Sequence, residues 1–339
     1  MTTRARYGVA ALGLALVGLV GCEASDGDPF AHAVGSPETP WTHEAFDDAP
    51  GQFTFAVFSD LNGGEREGVF AVAAQQLALL RPELVLSVGD LIDGPTPDEG
   101  ALAREWDSFD QRAAVIQAPV FRVGGNHDLT GKVLQDVWSG RYGPRYYHFL
   151  YKDVLFLVLD TEDHTDARMR EILEARSAAI RAMDEGVEGA EEMDYFRMPE
   201  RVTGNIGPDQ SAYFQQVLAD HPDVRWTMLF MHKPVWRDGG DPEFVALEEA
   251  LAERPYTVFN GHLHTLSHAE RNGRDYLTLG TTGGTQFADD PMSFDHVTLV
   301  TVSEDSPSIV HLRMDGILAK DGTVPAGGSE LCFQASACR

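Results

Sequence analysis

The sequence predicts an α/β fold in which two mixed β-sheets form a sandwich flanked by helices. Short apolar runs, rich in β-branched and aromatic residues, recur along the chain of 339 residues and are typical of buried strands. Helical segments alternate with these runs in the first half, whereas the second half consists mostly of strand-like runs. This change of rhythm favours mixed sheets over a purely parallel sheet.

Ten short apolar runs are predicted as strands, and the first three each end in a small, polar or glycine-rich turn. In chain order the predicted strands are residues 53–59, 84–88, 120–123, 146–151, 154–159, 226–230, 256–259, 276–279, 297–302 and 309–312. The fourth and fifth are close enough in sequence to form a hairpin. A helix is predicted over 65–80, ending before Pro82, which cannot continue a helix. Two more helices are predicted over 210–218 and 244–251.

Residues 162–207 interrupt this alternation. They have helical propensity, carry many charges of both signs and contain several methionines. Two interpretations stay open: a helical excursion on the surface, or a lid over an active site at the ends of neighbouring strands. Arg197 and Arg201, near the end of this insertion, are candidates for shaping substrate specificity.

Residues 1–21 have the order of a bacterial secretory signal. Arg4 and Arg6 precede an uncharged apolar run over 8–20, which is too short to span a bilayer comfortably. The run ends in Leu19-Val20-Gly21-Cys22. This ending resembles the lipobox of bacterial lipoproteins, with Cys22 as the lipidated first residue of the mature chain. An ordinary signal peptide cleaved nearby and an uncleaved anchor are the alternatives.

The chain after this signal divides into three predicted segments. Residues 22–50 are rich in Asp, Gly, Pro, Ser and Glu and are expected to form a flexible tether. Residues 51–315 form the globular domain, and residues 316–339 form a C-terminal tail. Cys332 and Cys338 in that tail are expected to form a disulfide in an oxidising compartment. The expected location is the bacterial cell envelope, with the protein lipid-anchored and facing the periplasm or the cell surface.

The composition limits the partners. The hydrophobic content of 43% excludes a largely disordered chain. The formal net charge of −27 disfavours binding to the phosphate backbone of long nucleic acids. A small molecule is therefore the expected substrate, and the lipid anchor is the expected link to a membrane.

Five polar clusters follow predicted strands and carry the residues suited to chemistry. They are Ser59-Asp60-Leu61-Asn62-Gly63-Gly64, Gly89-Asp90, Gly124-Gly125-Asn126-His127-Asp128, Met231-His232-Lys233-Pro234 and Asn260-Gly261-His262-Leu263-His264. Singly, an aspartate after a strand is a common cap and a lone histidine is usually only hydrogen-bonded. All five at strand ends in this order make coincidence a poor explanation.

This ordered set resembles the calcineurin-like metallophosphoesterase superfamily, whose pattern is D-x-H, G-D, G-N-H-[DE], a single H and then G-H-x-H. The resemblance runs from about Phe53 to Gly284 and implies an αββα sandwich and a metal-dependent phosphoesterase. The purple acid phosphatase branch has a tyrosine three residues after the G-D aspartate, where this chain has Asp93. The resemblance therefore does not point to that branch.

The family chemistry suits the residue types that are present. Two divalent or trivalent ions about 3.5–4 Å apart can clamp a phosphate ester and acidify a bridging water to the attacking hydroxide. Such a site needs a bridging carboxylate and oxygen and imidazole ligands. Manganese, iron and zinc are the candidate metals. The expected substrates are phosphate mono- or diesters of small molecules.

The resemblance implies a role for each matching residue. Asp90 would bridge the two ions, Asp60 and His264 would complete one site, and Asn126, His232 and His262 the other. Asn62 stands in the position of a family histidine. His127 would act on the leaving-group oxygen as a general acid or hydrogen-bond donor, with Asp128 orienting its ring.

Asn62 departs from the family pattern, because an amide oxygen is a neutral and weaker ligand than imidazole. It would lower the affinity for a transition metal, favour a harder ion such as Mn²⁺, or be an accepted variant. A non-catalytic metal- or phosphate-binding envelope lipoprotein on the same fold is the main alternative to an enzyme, and a structural surface protein is the third. The intact His127-Asp128 pair favours the enzyme, since pure binding has no use for a histidine that is not a ligand.

Overall fold

Two mixed β-sheets stacked face to face form the centre of the fold over residues 51–303 and 306–338, which the computed structural model describes. The strands are β1 (Phe53–Phe58), β2 (Leu84–Ser87), β3 (Val120–Phe121), β4 (Tyr147–Tyr151), β5 (Val154–Val158), β6 (Trp226–Phe230), β7 (Tyr256–Asn260), β8 (Ser267–Arg271), β9 (Arg274–Thr278), β10 (His296–Val302) and β11 (Pro307–Arg313). One sheet has the order β11-β10-β1-β2-β3 and the other β4-β5-β6-β7-β9-β8.

Both sheets combine neighbouring parallel strands with antiparallel ones, which lie on one side of the first sheet and at both edges of the second. The parallel neighbours are β1, β2 and β3 in one sheet and β5, β6, β7 and β9 in the other. Strands β10 and β11 extend the first sheet in antiparallel fashion, and β4 and β8 close the two edges of the second. The parallel strands of each sheet end at one edge, and that edge carries the polar clusters.

Helices cover the outer face of each sheet. They are α1 (Val69–Leu80), α2 (Glu99–Ala113), α3 (Asn126–Leu129), α4 (Lys132–Tyr142), α5 (Asp166–Asp184), α6 (Pro208–Asp220) and α7 (Pro242–Leu251). Helices α1, α2 and α4 pack with one face of the first sheet, and α6 and α7 with one face of the second. This four-layer arrangement confirms the predicted α/β sandwich.

Alternation along the strands explains how three cores coexist. Phe55 and Val57 of β1 face the second sheet, whereas Ala56 and Phe58 face the helices. Aromatic rings fill the space between the sheets: Phe230 stacks on Phe259 with ring centroids 5.1 Å apart. Strands buried on both faces are apolar throughout, which is why they were readily predicted from the sequence.

Some predicted elements differ from the structure. The helix predicted from residue 65 begins at Val69, because Gly68 has φ 84° and Arg66 is bonded to Gly284 O and Asp295 outside the helix. Helices α2 and α4 and strand β8 were not predicted. Helix α2 buries only Leu102, Trp106, Phe109 and Ala113 among many polar residues, and β8 is a largely exposed edge strand.

The insertion begins and ends at one point of the sandwich. Glu162 and Asn205 form a parallel bridge, and Asn205 N donates to Thr161 O at 2.9 Å. Between these residues lie α5 and three short 3-10 turns. The two ends of the insertion are therefore tied together at the site edge.

The C-terminal tail packs back onto the globular body. Cys332 and Cys338 form a disulfide with their Cα atoms 6.0 Å apart. Arg66 donates to Cys332 O at 2.9 Å, and Phe333 is buried. The predicted signal, the lipidated Cys22 and the tether over 22–50 lie outside the described residues. Within residues 51–303 and 306–338, no helix combines the length and the apolar character needed to cross a bilayer.

His296 is a buried histidine that predicts a pH dependence of folding. Its Nε2 accepts from Gly280 N at 2.9 Å, and burial together with nearby His311 lowers its pKa from 6.5 to about 3. The folded state therefore keeps this ring neutral, and its stabilising effect is full above pH 6.5 and is lost as the pH falls below that value. When the pH falls from 7 to 5, the free energy of unfolding of the metal-free wild type should decrease by about 2 kcal/mol more than that of His296→Gln, whose glutamine cannot titrate. Urea unfolding at both pH values checks this, and equal losses would contradict the lowered pKa.

Candidate metal centre

The candidate ligands lie directly after strands of both sheets. Asp60 follows β1, Asp90 follows β2, and Asn126 begins α3 after β3. His232 follows β6, and His262 follows β7. Because parallel strands present their carboxyl ends at the same edge, residues distant in sequence meet there.

The ligand atoms form two groups that share Asp90. One group contains Asp60, Asp90 and His264, and the other contains Asp90, His232 and His262. Within each group the potential ligand atoms lie within 4.8 Å of one another. The structure thus brings together the residues that the sequence assigned to two neighbouring ions, with Asp90 between them.

Hydrogen bonds to backbone carbonyls determine which ring nitrogens face the site. His232 Nδ1 donates to Val88 O at 2.8 Å, and His264 Nδ1 donates to Thr285 O at 2.6 Å. His262 Nε2 donates to Arg201 O at 2.6 Å. Since a carbonyl oxygen can only accept, the other nitrogen of each neutral ring carries a free lone pair. That nitrogen is the one available to a metal.

These lone pairs are crowded together without a donor between them. His232 Nε2 lies 3.2 Å from His262 Nδ1, 3.1 Å from Asn126 Oδ1 and 3.2 Å from Asp90 Oδ2. Acceptors this close repel one another unless a positive charge lies among them. In the metal-free site a proton supplies that charge: burial opposes it, but Asp90 outweighs burial and raises the pKa of His232 to about 9. A metal ion bound through Nε2 would displace this proton, and the imidazole, carboxylate and amide donors of the cluster fit a transition metal.

Asn62 supports the same conclusion for the other group. Its side chain is buried, and neither Oδ1 nor Nδ2 has a hydrogen-bond partner among the described residues. An unpartnered buried amide costs about 1–3 kcal/mol. A metal ion bound by Asp60 and His264, with Asn62 Oδ1 as a further ligand, would offset that cost.

Removing the Asn62 amide should weaken metal binding without harming the metal-free fold. We expect Asn62→Ala to lower the affinity for the ion bound by Asp60 and His264 at least about 10-fold. In excess chelator, the variant should unfold at the same temperature as the metal-free wild type or at a higher one, because it lacks the unpartnered buried amide. Metal analysis after graded chelation and thermal unfolding in excess chelator measure the two effects. Unchanged metal retention would contradict a ligand role, and Asn62→His provides the family residue as the matched comparison.

The backbone at this edge is shaped for the ligands rather than for relaxed geometry. Asp60, Asp90, His262 and His264 have φ of 37°, 56°, 73° and 54°. Positive φ in non-glycine residues is uncommon and costs about 1–3 kcal/mol each, and it concentrates at functional sites. A Cβ on Gly125 would lie 2.3 Å from Asp90 Oδ1, so the G-N-H glycine is needed for space.

His127 lies beside the ligand groups but is not part of them. Its backbone N–H donates to Asp90 Oδ1 at 2.9 Å, and its Nδ1 donates to Asp93 O at 2.5 Å. The ring is thereby fixed, and Nε2 is left available to a substrate. This geometry suits a proton donor that is not a metal ligand.

The role predicted for Asp128 was wrong. Its carboxylate accepts from Leu91 N at 2.9 Å and Gly125 N at 2.8 Å, and it does not bond the His127 ring. Asp128 is the third residue of α3, where a capping interaction directs the side chain back to the preceding backbone. Burial and the charge of Asp90 raise the pKa of Asp128 to about 8. Asp128 orders the loops that carry Asp90 and His127, while the Asp93 carbonyl orients the imidazole.

A cavity of about 340 Å³ opens over the candidate ligands, and the insertion forms part of its wall. Asp90, Asn126, His127, His262 and His264 line it. From the insertion it is lined by Arg176, Ile180, Met183, Tyr195, Phe196 and Arg201. This placement favours the lid interpretation over a surface excursion. Arg201 lines the cavity, whereas Arg197 does not.

A buried ion pair next to the site was missed from the sequence. Lys233, which follows His232, pairs with Glu162 at the start of the insertion, and both side chains are buried. Glu162 also accepts from Thr130 Oγ1 at 3.2 Å, just after α3. The position of Lys233 directly after His232 could have indicated a buried lysine beside the site, but nothing in the sequence identified Glu162 as its partner.

Comparison with known proteins shows the same architecture. The model of the calcineurin-like phosphoesterase family matches residues 53–266. A dimetal phosphatase from Danio rerio superposes with a TM-score of 0.56 at 17% identity, covering 77% of this chain and 96% of that one. The structure of PhoD superposes with a TM-score of 0.52 at 12% identity, covering 79% of this chain and 67% of that one. A purple acid phosphatase from yellow lupin (Lupinus luteus) superposes with a TM-score of 0.50 at 14% identity, covering 80% of this chain and 53% of that one. No curated protein sequence matches the chain significantly.

Proposed function

The chain belongs to the calcineurin-like phosphoesterase family, and on that premise we propose that it hydrolyses phosphate mono- or diesters of small molecules at a two-metal centre. The observation that carries this proposal is the carboxylate of Asp90, which belongs to both groups of ligand atoms. A shared carboxylate is what a pair of ions about 3.5–4 Å apart requires.

The two groups of ligand atoms that share Asp90 support one assignment of the residues that would hold the ions. Asp60, Asn62 and His264 would hold one ion together with Asp90, and Asn126, His232 and His262 would hold the other. Both sets combine oxygen and imidazole donors, which suit manganese, iron or zinc. When bound, two such ions neutralise the charge of the phosphoryl group and acidify a water molecule for attack.

His127 would move the proton that the leaving group needs. The Nδ1 proton is held by the Asp93 carbonyl, so the ring would donate from Nε2 to the departing oxygen as the imidazolium and become neutral as it does so. The bond from His127 N to Asp90 Oδ1 keeps the imidazole at a constant position relative to the shared carboxylate. Hydrolysis then needs no nucleophilic side chain from the protein.

We also propose that the mature protein is anchored to the bacterial cell envelope through a lipid on Cys22, facing the periplasm or the cell surface. The basic, apolar and Leu19-Val20-Gly21-Cys22 order supports this. Labelling with radioactive palmitate should mark the wild-type protein and not Cys22→Ala. Equal labelling of both would contradict lipidation at Cys22.

The test of the activity uses protein that begins at residue 23. We expect hydrolysis of 4-nitrophenyl phosphate or bis(4-nitrophenyl) phosphate that requires added Mn²⁺ and disappears with a chelator. The ratio of the two rates identifies a mono- or diesterase. Tight binding of metal without turnover of either ester would instead support the non-catalytic binding protein.

A further inference from the structure

Three aromatic rings line the cavity that the candidate metal ligands also line. They are Tyr195 and Phe196 of the insertion and Phe287 of the loop before β10, whose ring centroid lies 6.3 Å from that of His264. Tyr195 and Phe196 meet edge to face with ring centroids 5.4 Å apart. Phe287 is 50% exposed, although a phenyl ring gains nothing from contact with water. These rings face the space of the substrate rather than a core.

Two arginines accompany these rings in a strongly acidic protein. Arg176 and Arg201 line the cavity, and the Arg201 guanidinium lies 5.2 Å from the Phe196 ring centroid. Arg168 of the same insertion forms ion pairs with Glu171 and Glu200, whereas Arg176 and Arg201 form none among the described residues. Arginines left without a carboxylate in a chain of net charge −27 suit an anionic ligand.

The aromatic wall has a defined position relative to the reacting centre. His262 donates to the backbone carbonyl of Arg201, so a candidate metal ligand is bonded directly to the insertion. The buried Lys233–Glu162 pair holds the base of the insertion beside His232. The insertion that carries Tyr195 and Phe196 is therefore fixed beside the candidate ligands, and these two rings line the cavity into which the alcohol part of a bound ester would extend.

We propose that this wall binds a planar aromatic ring carried by the alcohol part of the phosphate ester, as in a nucleotide or an arylalkyl phosphate. The inference rests on the proposed function and narrows its substrate class. Stacking of a base on an aromatic side chain changes affinity by about 5- to 100-fold, and it tolerates different rings because every ring has a π face. Arg201, stacked on Phe196, adds a cationic edge to the same surface.

The experiment compares adenosine 5′-monophosphate with ribose 5-phosphate on the metal-loaded enzyme. Both release a primary alcohol from the same carbon, so the ring is the main difference between them. We expect kcat/KM to be about 5- to 100-fold higher for the nucleotide, through KM rather than kcat. Phe196→Leu, which keeps apolar volume but removes the ring, should bring the ratio close to one, and Phe196→Tyr should retain it. Leu79→Ala, an exposed position on α1 outside the cavity, is the control and should leave the ratio unchanged.

A second pair of esters identifies the kind of ring. If the ratio of kcat/KM for 2-phenylethyl phosphate over ethyl phosphate equals the ratio for the nucleotide over ribose 5-phosphate, the wall recognises arylalkyl groups in general. If only the nucleotide is preferred, the wall recognises a nucleoside. If hexyl phosphate gains as much as 2-phenylethyl phosphate, the wall selects apolar bulk and the proposal is overturned. Equal rates for the nucleotide and ribose 5-phosphate overturn it as well.

A binding measurement separates this proposal from the proposed hydrolysis. Titration calorimetry with adenosine, which has no phosphate to cleave, should show binding that Phe196→Leu weakens about 5- to 100-fold. Binding of adenosine without hydrolysis of any ester would support the ring site and reject the enzyme. Hydrolysis of nitrophenyl esters with no binding of either adenosine or 2-phenylethanol would support the enzyme and reject the ring site.

Discussion

Replacing Asp90 with asparagine is expected to lower metal-dependent kcat/KM by at least about 1,000-fold. Asp90 belongs to both groups of ligand atoms, and its Oδ1 also accepts the backbone N–H of His127. Burial favours the neutral acid, but His232 and His127 outweigh it and hold the pKa of Asp90 well below its ordinary value. An amide keeps the shape but not the charge, so two adjacent cations lose the anion that holds them together. Steady-state assays and metal analysis of the same preparations measure the effect.

The matched control for this variant is Asp107→Asn. Asp107 lies on α2, where it pairs with Arg141 at the surface. The same chemical change there should leave activity and metal content unaltered, since surface pairs contribute little. Two bound ions together with near wild-type activity in Asp90→Asn would show that the ions do not share this carboxylate.

Replacing His127 with alanine should reduce kcat for an alkyl ester by about 100- to 10,000-fold while both metal ions stay bound. The imidazole is held by the Asp93 carbonyl and belongs to neither ligand group. On the proposal that the imidazole protonates the departing oxygen, the loss should be much smaller for a nitrophenyl ester, whose leaving group needs little help. Parallel kinetics on the two ester types, with metal analysis, test this assignment.

His268→Ala is the control for the His127 variant. His268 lies on the exposed strand β8, pairs with Asp275 and is outside the site. It should leave both ester rates unchanged. An equal loss on nitrophenyl and alkyl esters in His127→Ala would assign His127 to substrate binding rather than to proton transfer, and a loss of metal would make it a ligand.

The strands were predictable because their burial leaves a local trace. The runs at 53–59 and 84–88 correspond to β1 and β2, which are buried on both faces and mostly apolar. Helix α2 lacks such a run. Its contacts with the core come from Leu102, Trp106 and Phe109 at helical spacing, and the intervening positions are charged or polar except Ala103. A search for that spacing would have found it.

The candidate ligands could be named from the sequence, because each lies in a motif at a strand end. The orientation of the His127 ring was not. Asp128 is next to His127 in sequence, yet a capping bond turns its carboxylate towards Gly125 N. The group that does hold the ring is a backbone carbonyl, at Asp93, and a backbone carbonyl has no residue type to recognise.

The sequence by itself therefore determined the fold class, the phosphoesterase family and the residues able to bind metal. These properties depend on residue type and on order along the chain, which are visible without coordinates. Only the tertiary structure decided that Asp93 orients His127, that Glu162 pairs with Lys233, and that Tyr195 and Phe196 line the same cavity as the candidate ligands. Such relations join residues whose separation in space is set by packing of the two sheets and the insertion, and no local pattern records that distance.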